Sequence, residues 1–319
     1  MKNLEVYFTE LTGQKEPTNL YSPIQYILTQ GGKRIRPKLV LLGTDLFDGN
    51  LDNAFYTATA FEMLHNFTLI HDDIMDDAPI RRGKPTIYRK WNSNIAILSG
   101  DALSAMSLIE ILKSPCSQST ILELSSLLAN TAIEVCEGQQ YDLDFEHRDQ
   151  VSISEYIDMI RLKTAVLLAA CLKAGAIIGN ASIENRNAIQ EYGINLGLAF
   201  QLKDDLLDIY ADDTVFGKVN GGDIKVNKKT YPYLRALEDS NDEQRQQLLH
   251  YFSSTDFDFS EKFNAIKGIY EALSIREKTE KEIAMYVEKG LTALNSITVD
   301  DSRTEKLRTI NKELSNREK

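Results

Sequence analysis

The chain has 319 residues, 43% of them hydrophobic and 26% charged, a balance that suits a soluble globular protein and excludes a disordered one. A formal net charge of −11 argues against general affinity for nucleic acid or an anionic membrane. The three cysteines, Cys116, Cys136 and Cys171, show no CxxC spacing, which points to reduced thiols in a cytoplasmic setting.

In chain order, the opening "MKNLEVYFTE" lacks a basic start and an apolar core, so no secretory signal is expected. Helices are predicted over 20–30 and 36–48, separated by "GGKRIRPKL", with Lys33, Arg34 and Arg36 behind two glycines and Pro37 opening the second helix. The next helix, 52–77, runs into "LIHDDIMDDAPIRRGKPT". Helices over 93–113, 118–142, 152–179 and 183–211 follow, in an interval with no proline between Pro115 and Pro232. Apolar residues there recur at three- and four-residue steps, as in Ile157, Ile160, Leu167, Leu168 and Cys171. A Gly- and Lys-rich stretch, "FGKVNGGDIKVNKKTYP", precedes helices over 241–253 and 260–294, and a charged tail over 301–317 reads as a solvated or frayed helix. Alternating strand patterns are missing, so the class is all-α, and no composition break divides residues 1–319 into separate domains. No stretch reads as a membrane span; "TAVLLAACLKAGAIIG" comes nearest but contains Lys173, and stable membrane insertion is not expected.

Two carboxylate clusters carry the chemistry. Asp72 and Asp76 lie one turn apart on the same helix face, with Asp73 about 100° round the helix. Like charges at this spacing repel, a cost that a hard divalent cation such as Mg²⁺ would remove, because it takes carboxylate oxygens and keeps water and phosphate as its other ligands. The same D-D-x-x-D spacing returns in "QLKDDLLDIY" as Asp204, Asp205 and Asp208, 132 residues after Asp72, among Leu202, Leu206, Leu207 and Ile209. Acidic groups in so apolar a helix need a partner or a metal. Basic groups stand nearby: Arg81 and Arg82 after the first cluster, Lys33 and Arg36 upstream, Lys218, Lys225, Lys228 and Lys229 downstream. Guanidinium and ammonium groups match phosphate oxygens, so metal and basic clusters together describe a site for Mg²⁺-chelated diphosphates. His65 shares a stripe with Asp72; a lone His on an apolar face is ordinarily a core residue, and this stripe favours a site role.

With "GGKRIRP", "LIHDDIMDDAPIRRGKPT", "GD" at 100–101, "EGQ" at 137–139, "KTA" at 163–165, "QLKDDLLD" and "GKVNGGDIKVNKKTYP" in this order, the chain resembles the trans-isoprenyl (polyprenyl) diphosphate synthases over roughly residues 20 to 240. The resemblance implies an all-helical bundle around a deep cavity, a homodimer, and three Mg²⁺ between the two aspartate motifs. It makes Asp72, Asp76 and Asp204 the leading metal ligands, supported by Asp73, Asp205 and Asp208. Arg81, Lys163 and Lys218 would hold an allylic diphosphate, Lys228 matches the later loop lysine that covers the closed substrate site, and Lys33, Arg36, His65 and Arg82 would hold isopentenyl diphosphate through direct ion pairs. Thr164 and Gln201 would set oxygen dipoles beside the allylic cation. Phe67 and Thr68, just before the first aspartates, would form the floor of the hydrocarbon tunnel, and a bulky ring there implies a short product, C20 first and C15 next. One departure stands out: Asn227 occupies a place where the family usually has Gly before the loop lysine, and Asn tolerates positive φ better than most residues. A terpene cyclase would lack "GGKRIRP" and the second aspartate motif; a silent regulatory subunit would have lost aspartates; a non-enzymatic metal-binding protein would leave the basic clusters without a role.

Overall fold

The computed structural model describes residues 3–211 and 220–315, with backbone alone for 311–315. Among the described residues the fold is all-α apart from one two-residue-per-strand hairpin. Two compact units make up the chain, the first comprising residues up to Ile133 with Leu167–Gln190 and Ile297–Thr304, the second Glu134–Val166, Glu191–Ser296 and the segment from Glu305 onward.

The first unit holds α1 (Leu4–Thr12), α2 (Thr18–Leu28), α3 (Ile35–Leu46), α4 (Leu51–Met75), β1 (Ile80–Arg81), β2 (Lys84–Pro85), the short α5 (Ile87–Lys90) and α6 (Ser93–Leu112). The first half of α7 (Gln118–His147), most of α9 (Val166–Ile178) and the start of α10 (Ile183–Tyr210) belong to it as well. Helix α4 is buried on all sides from Ala54 to Asn66, which makes it the unit's central helix, packed against α3 and α6. Phe8, Ile24, Leu28, Met63, Ile70 and Leu103 form one core beside it. Asn50 caps α4 by accepting from the Asp52 N–H at 2.9 Å, and the helix ends where Asp76 leaves it, delivering its aspartates at the C-terminal turn.

The second unit holds the rest of α7 and α10, α8 (Ile153–Ile160), a π-helical turn (Arg161–Ala165), α11 (Gly222–Lys225), α12 (Tyr231–Asp239), α13 (Asp242–Tyr251), α14 (Phe259–Ala272) and α15 (Ile275–Asn295). The last helix, α16 (Asp301–Ser315), begins in the first unit and continues in the second. Tyr156, Leu202, Leu206, Tyr270, Ile266 and Ile283 form the centre of its core.

Four expectations change. The predicted helix 152–179 is three pieces, because the π turn widens the backbone between α8 and α9. The predicted helix 260–294 breaks at Ser274, whose φ of 53° takes the left-handed conformation. The tail is docked at its start rather than solvated: Leu307 is buried, and its carbonyl accepts from Tyr192 Oη at 2.8 Å. The stretch nearest a membrane span is Ser93–Leu112, not 164–179; it is long and apolar enough by length and composition, and 39% of its apolar window is buried.

Candidate active site

In the first unit the chain after α4 turns back through the β1–β2 hairpin, in which Arg81 pairs with Lys84 across the turn Arg82–Gly83. Both turn residues have positive φ, 52° and 74°, the type I′ geometry that two-residue hairpins favour and that burdens a non-glycine at Arg82. The strained turn holds the Arg82 guanidinium over the backbone of "GGK": its Nη1 donates to Gly31 O at 2.6 Å, and any Cβ at Gly32 would meet that guanidinium at 3.1 Å. Gly32 also holds φ at 128°, a conformation that side chains rarely adopt.

Arg81 Nε donates to Asp73 Oδ1 at 2.7 Å, and Asp73 is buried. Burial pushes the Asp73 carboxyl above the usual carboxylate range although Arg81 opposes it. Asp73, expected to support metal, fixes Arg81 with its carboxylate, while Asp72 and Asp76 are the more exposed aspartates of the motif. Arg34, which sequence placed in the basic cluster, is structural; it pairs with Glu62 and Glu5, both at 2.6 Å. The half-buried Arg36 presents a buried Nε with no hydrogen-bond partner in the protein. His65 is buried, and burial first, then the fields of Arg36, Arg82, Arg81 and Arg34, hold its imidazole well below its usual range. His65, expected to join the groups that hold a diphosphate, thus stands among these arginines. Lys33 is exposed beside them. Phe67 is half-buried, packs on the Ile24–Leu28 core and meets the His71 ring at 4.8 Å, while Thr68 donates to the His65 carbonyl at 2.8 Å.

In the second unit Lys163 and Thr164 ride on the π turn. Its extra backbone needs room, which two glycines on neighbouring helices supply: a Cβ at Gly138 would lie 2.2 Å from Lys163 N, and one at Gly197 would lie 2.5 Å from Ala165 Cα. Lys163 Nζ donates to Asp142 Oδ2 at 2.5 Å, and Lys228 Nζ stands 3.1 Å from the same oxygen. Burial alone would raise the Asp142 carboxyl; Lys228 and Lys163 together hold it below the usual range. Thr164 Oγ1 donates to Gln201 Oε1 at 3.1 Å, and Gln201 Nε2 donates to Asp205 Oδ1 at 3.1 Å. Asp205 also accepts from Tyr156 Oη, and burial, then Asp223, pushes its carboxyl up to about 7. Asp208 accepts the N–H groups of Gly222 and Asp223 at 3.2 and 3.1 Å, capping α11. Asp205 and Asp208, expected to support metal, are held by these protein groups. Lys218 lies outside the described residues.

The donors are all oxygen, which fits Mg²⁺. Among the described residues no three His, Cys, Asp or Glu side chains converge into a ready-made cage, as befits an ion that completes its octahedron with water and phosphate oxygens. Sequence reasoning missed Asp142, Tyr156 and Asp223. The first follows "EGQ" by three residues, a position that helical spacing would have put on the same face as Gln139.

The family model for polyprenyl synthetases matches residues 17–271. A geranylgeranyl diphosphate synthase of Methanosarcina mazei is 41% identical over 236 residues, 74% of this chain and 73% of its own. Among solved structures, a geranylgeranyl pyrophosphate synthase superposes with a TM-score of 0.92 at 39% identity, covering 99% of both chains. A second, from Pyrococcus horikoshii, gives 0.92 at 33% identity over 98% of this chain and 95% of that one.

Proposed function

We propose that this chain, which belongs to the polyprenyl synthetase family and is a trans-prenyltransferase, makes geranylgeranyl diphosphate (C20) by adding isopentenyl diphosphate head to tail to allylic diphosphates. The observation that carries the reading is Arg36, whose buried Nε has no hydrogen-bond partner in the protein and which stands with Arg82 in the surroundings of the buried His65. Such a place wants an anion.

Lys33, Arg36, His65 and Arg82 hold the isopentenyl diphosphate. Arg81, kept in place by Asp73, binds the allylic diphosphate, together with Lys163, Lys228 and Lys218. The two lysines on Asp142 are ready cations: each can exchange that carboxylate for a phosphate oxygen with little rearrangement. Asp72, Asp76 and Asp204 would hold Mg²⁺, three ions in all, which when bound would supply Lewis-acid stabilisation of the departing diphosphate. Departure leaves an allylic cation; the isopentenyl double bond attacks its C1, and a proton is then lost to the released diphosphate. Thr164 and Gln201 turn oxygen dipoles toward that cation, and the hydrogen-bond chain to Asp205 and Tyr156 keeps those dipoles oriented.

A homodimer is part of the proposal. Along α6 and the start of α7 an apolar face is exposed, with Leu98 at 60%, Ile109 at 50% and Leu122 at 69%. Absence of disulfides among Cys116, Cys136 and Cys171 supports a cytoplasmic enzyme. Incorporation of labelled isopentenyl diphosphate by purified protein tests the mechanism. It is expected to require Mg²⁺, to stop with a chelator, and to fall about 10³-fold in Asp72→Ala and Asp204→Ala. Incorporation that survives both substitutions would refute it.

A further inference from the structure

The loop that delivers Lys228 has an unusual anchor. Asn227 holds φ at 61°, and its Oδ1 accepts a hydrogen bond from Lys262 Nζ on α14. Lys262 is only 2% exposed. Its other acceptor is Ser254 O at 3.4 Å, and the Phe252 ring centre lies 5.4 Å from Nζ. No carboxylate among the described residues pairs with this ammonium, and burial pushes its pKa below the ordinary lysine range. A buried ammonium is costly, and an apolar side chain of similar size would fill the same space without that cost. What Lys262 adds over such a residue is its grip on Asn227.

The neighbours of Asn227 are fixed on both sides, Val226 N donating to Gly222 O at 3.2 Å on the near side. Lys228 N donates to Asp223 O at 2.8 Å, and Lys229 Nζ donates to Phe145 O at the end of α7 at 2.6 Å. Between these points, leaving the left-handed conformation at 227 would swing Lys228 away from Asp142 and Lys163. Asn reaches that conformation at a cost which Gly would not bear.

From this geometry we infer that Lys262 is a positioning residue for prenyl transfer: by holding the Asn227 amide it locks the left-handed turn that aims Lys228 at the allylic diphosphate. The inference rests on the proposed role of Lys228, so the test carries its own control.

Binding of a non-ionisable allylic thiodiphosphate with Mg²⁺ is measured by calorimetry, alongside separate KM values for both substrates, in five variants. Asn227→Gly and Lys262→Met are expected to weaken allylic binding about tenfold, the loss of one charged hydrogen bond, with the isopentenyl KM unmoved. Asn227→Asp keeps both the acceptor and the tolerance for positive φ, and retains the affinity. The double variant Asn227→Gly/Lys262→Met is no weaker than Lys262→Met alone, because both changes remove the same interaction. Wild-type binding by Asn227→Gly would overturn the inference, since glycine relieves the backbone and removes only the grip. Equal losses for both substrates, the mark of general destabilisation, would overturn it too. Lys228→Ala is the control. If it weakens allylic binding while the other variants do not, the latch alone is wrong; if it has no effect, the role of Lys228 and the inference fall together. Should Lys262→Met fail to fold, the comparison of Asn227→Gly with Asn227→Asp decides.

Discussion

At the scale of single residues, the two aspartate motifs share a division of labour. The middle aspartate of each is buried and tied to protein, Asp73 to Arg81 and Asp205 to Tyr156 and Gln201. Removing the hydroxyl in Tyr156→Phe leaves the buried Asp205 short of a donor, so about 1–3 kcal/mol of stability is expected to be lost in denaturant unfolding. Retained stability would mean that Asp205 is not held this way. Phe67→Ala is expected to lengthen the product, because a half-buried ring would no longer stop the chain; unchanged length would remove Phe67 from the tunnel floor. The motif residues themselves were legible, since D-D-x-x-D and GGKRxRP are local spacings. Asp142, Tyr156 and Lys262 were not, because each is a lone polar residue whose partner is distant in sequence. His65 was legible from its stripe with Asp72, but the burial and the arginines that lower its pKa are gathered by the fold.

At the scale of elements, the π turn is the feature that sets Lys163 and Thr164. Gly138→Ala would drive a methyl to 2.2 Å from Lys163 N, so the turn must shift. A displacement of this size is expected to lower kcat about 10²-fold while the circular dichroism spectrum stays helical. Full activity would show that the turn has slack. The entry to α8 offers a pH test. Glu155 closes a capping box with Ser152 and pairs with Arg148 at 2.7 Å; the Ser152 backbone N–H first, then Arg148, pulls its carboxyl from 4.5 down to about 2. A folded-state pKa below the unfolded one means stability that is present above about pH 4.5 and lost as pH falls toward 2. The gap in Tm between wild type and Glu155→Ala is therefore expected to be full at neutral pH and to narrow across that window. A gap independent of pH would contradict the assignment. The long helices were legible from proline-free apolar periodicity, but the extra residue of a π turn leaves no mark in that pattern, and Ser274 is not a residue that announces a left-handed break. Helix α12 was missed although Pro232 in its first turn was a usable start signal.

At the scale of the whole molecule, composition and periodicity gave the all-α class, while the two compact units left no trace in composition because α7 and α10 run through both without a linker. The exposed apolar face of α6 was equally hidden, because apolar periodicity alone does not tell a buried face from one exposed at Leu98 and Ile109. Leu98→Asp combined with Ile109→Asp is expected to convert a dimer to a monomer in sedimentation, and a monomeric wild type would refute the dimer outright. The most direct test of the account is mass spectrometry of the products made by purified protein from isopentenyl diphosphate, Mg²⁺ and, in parallel, C5, C10 and C15 allylic diphosphates. The account predicts a discrete C20 product from each starter. Products of C30 or longer would contradict the short-chain reading, and no product from any starter would contradict the enzyme itself.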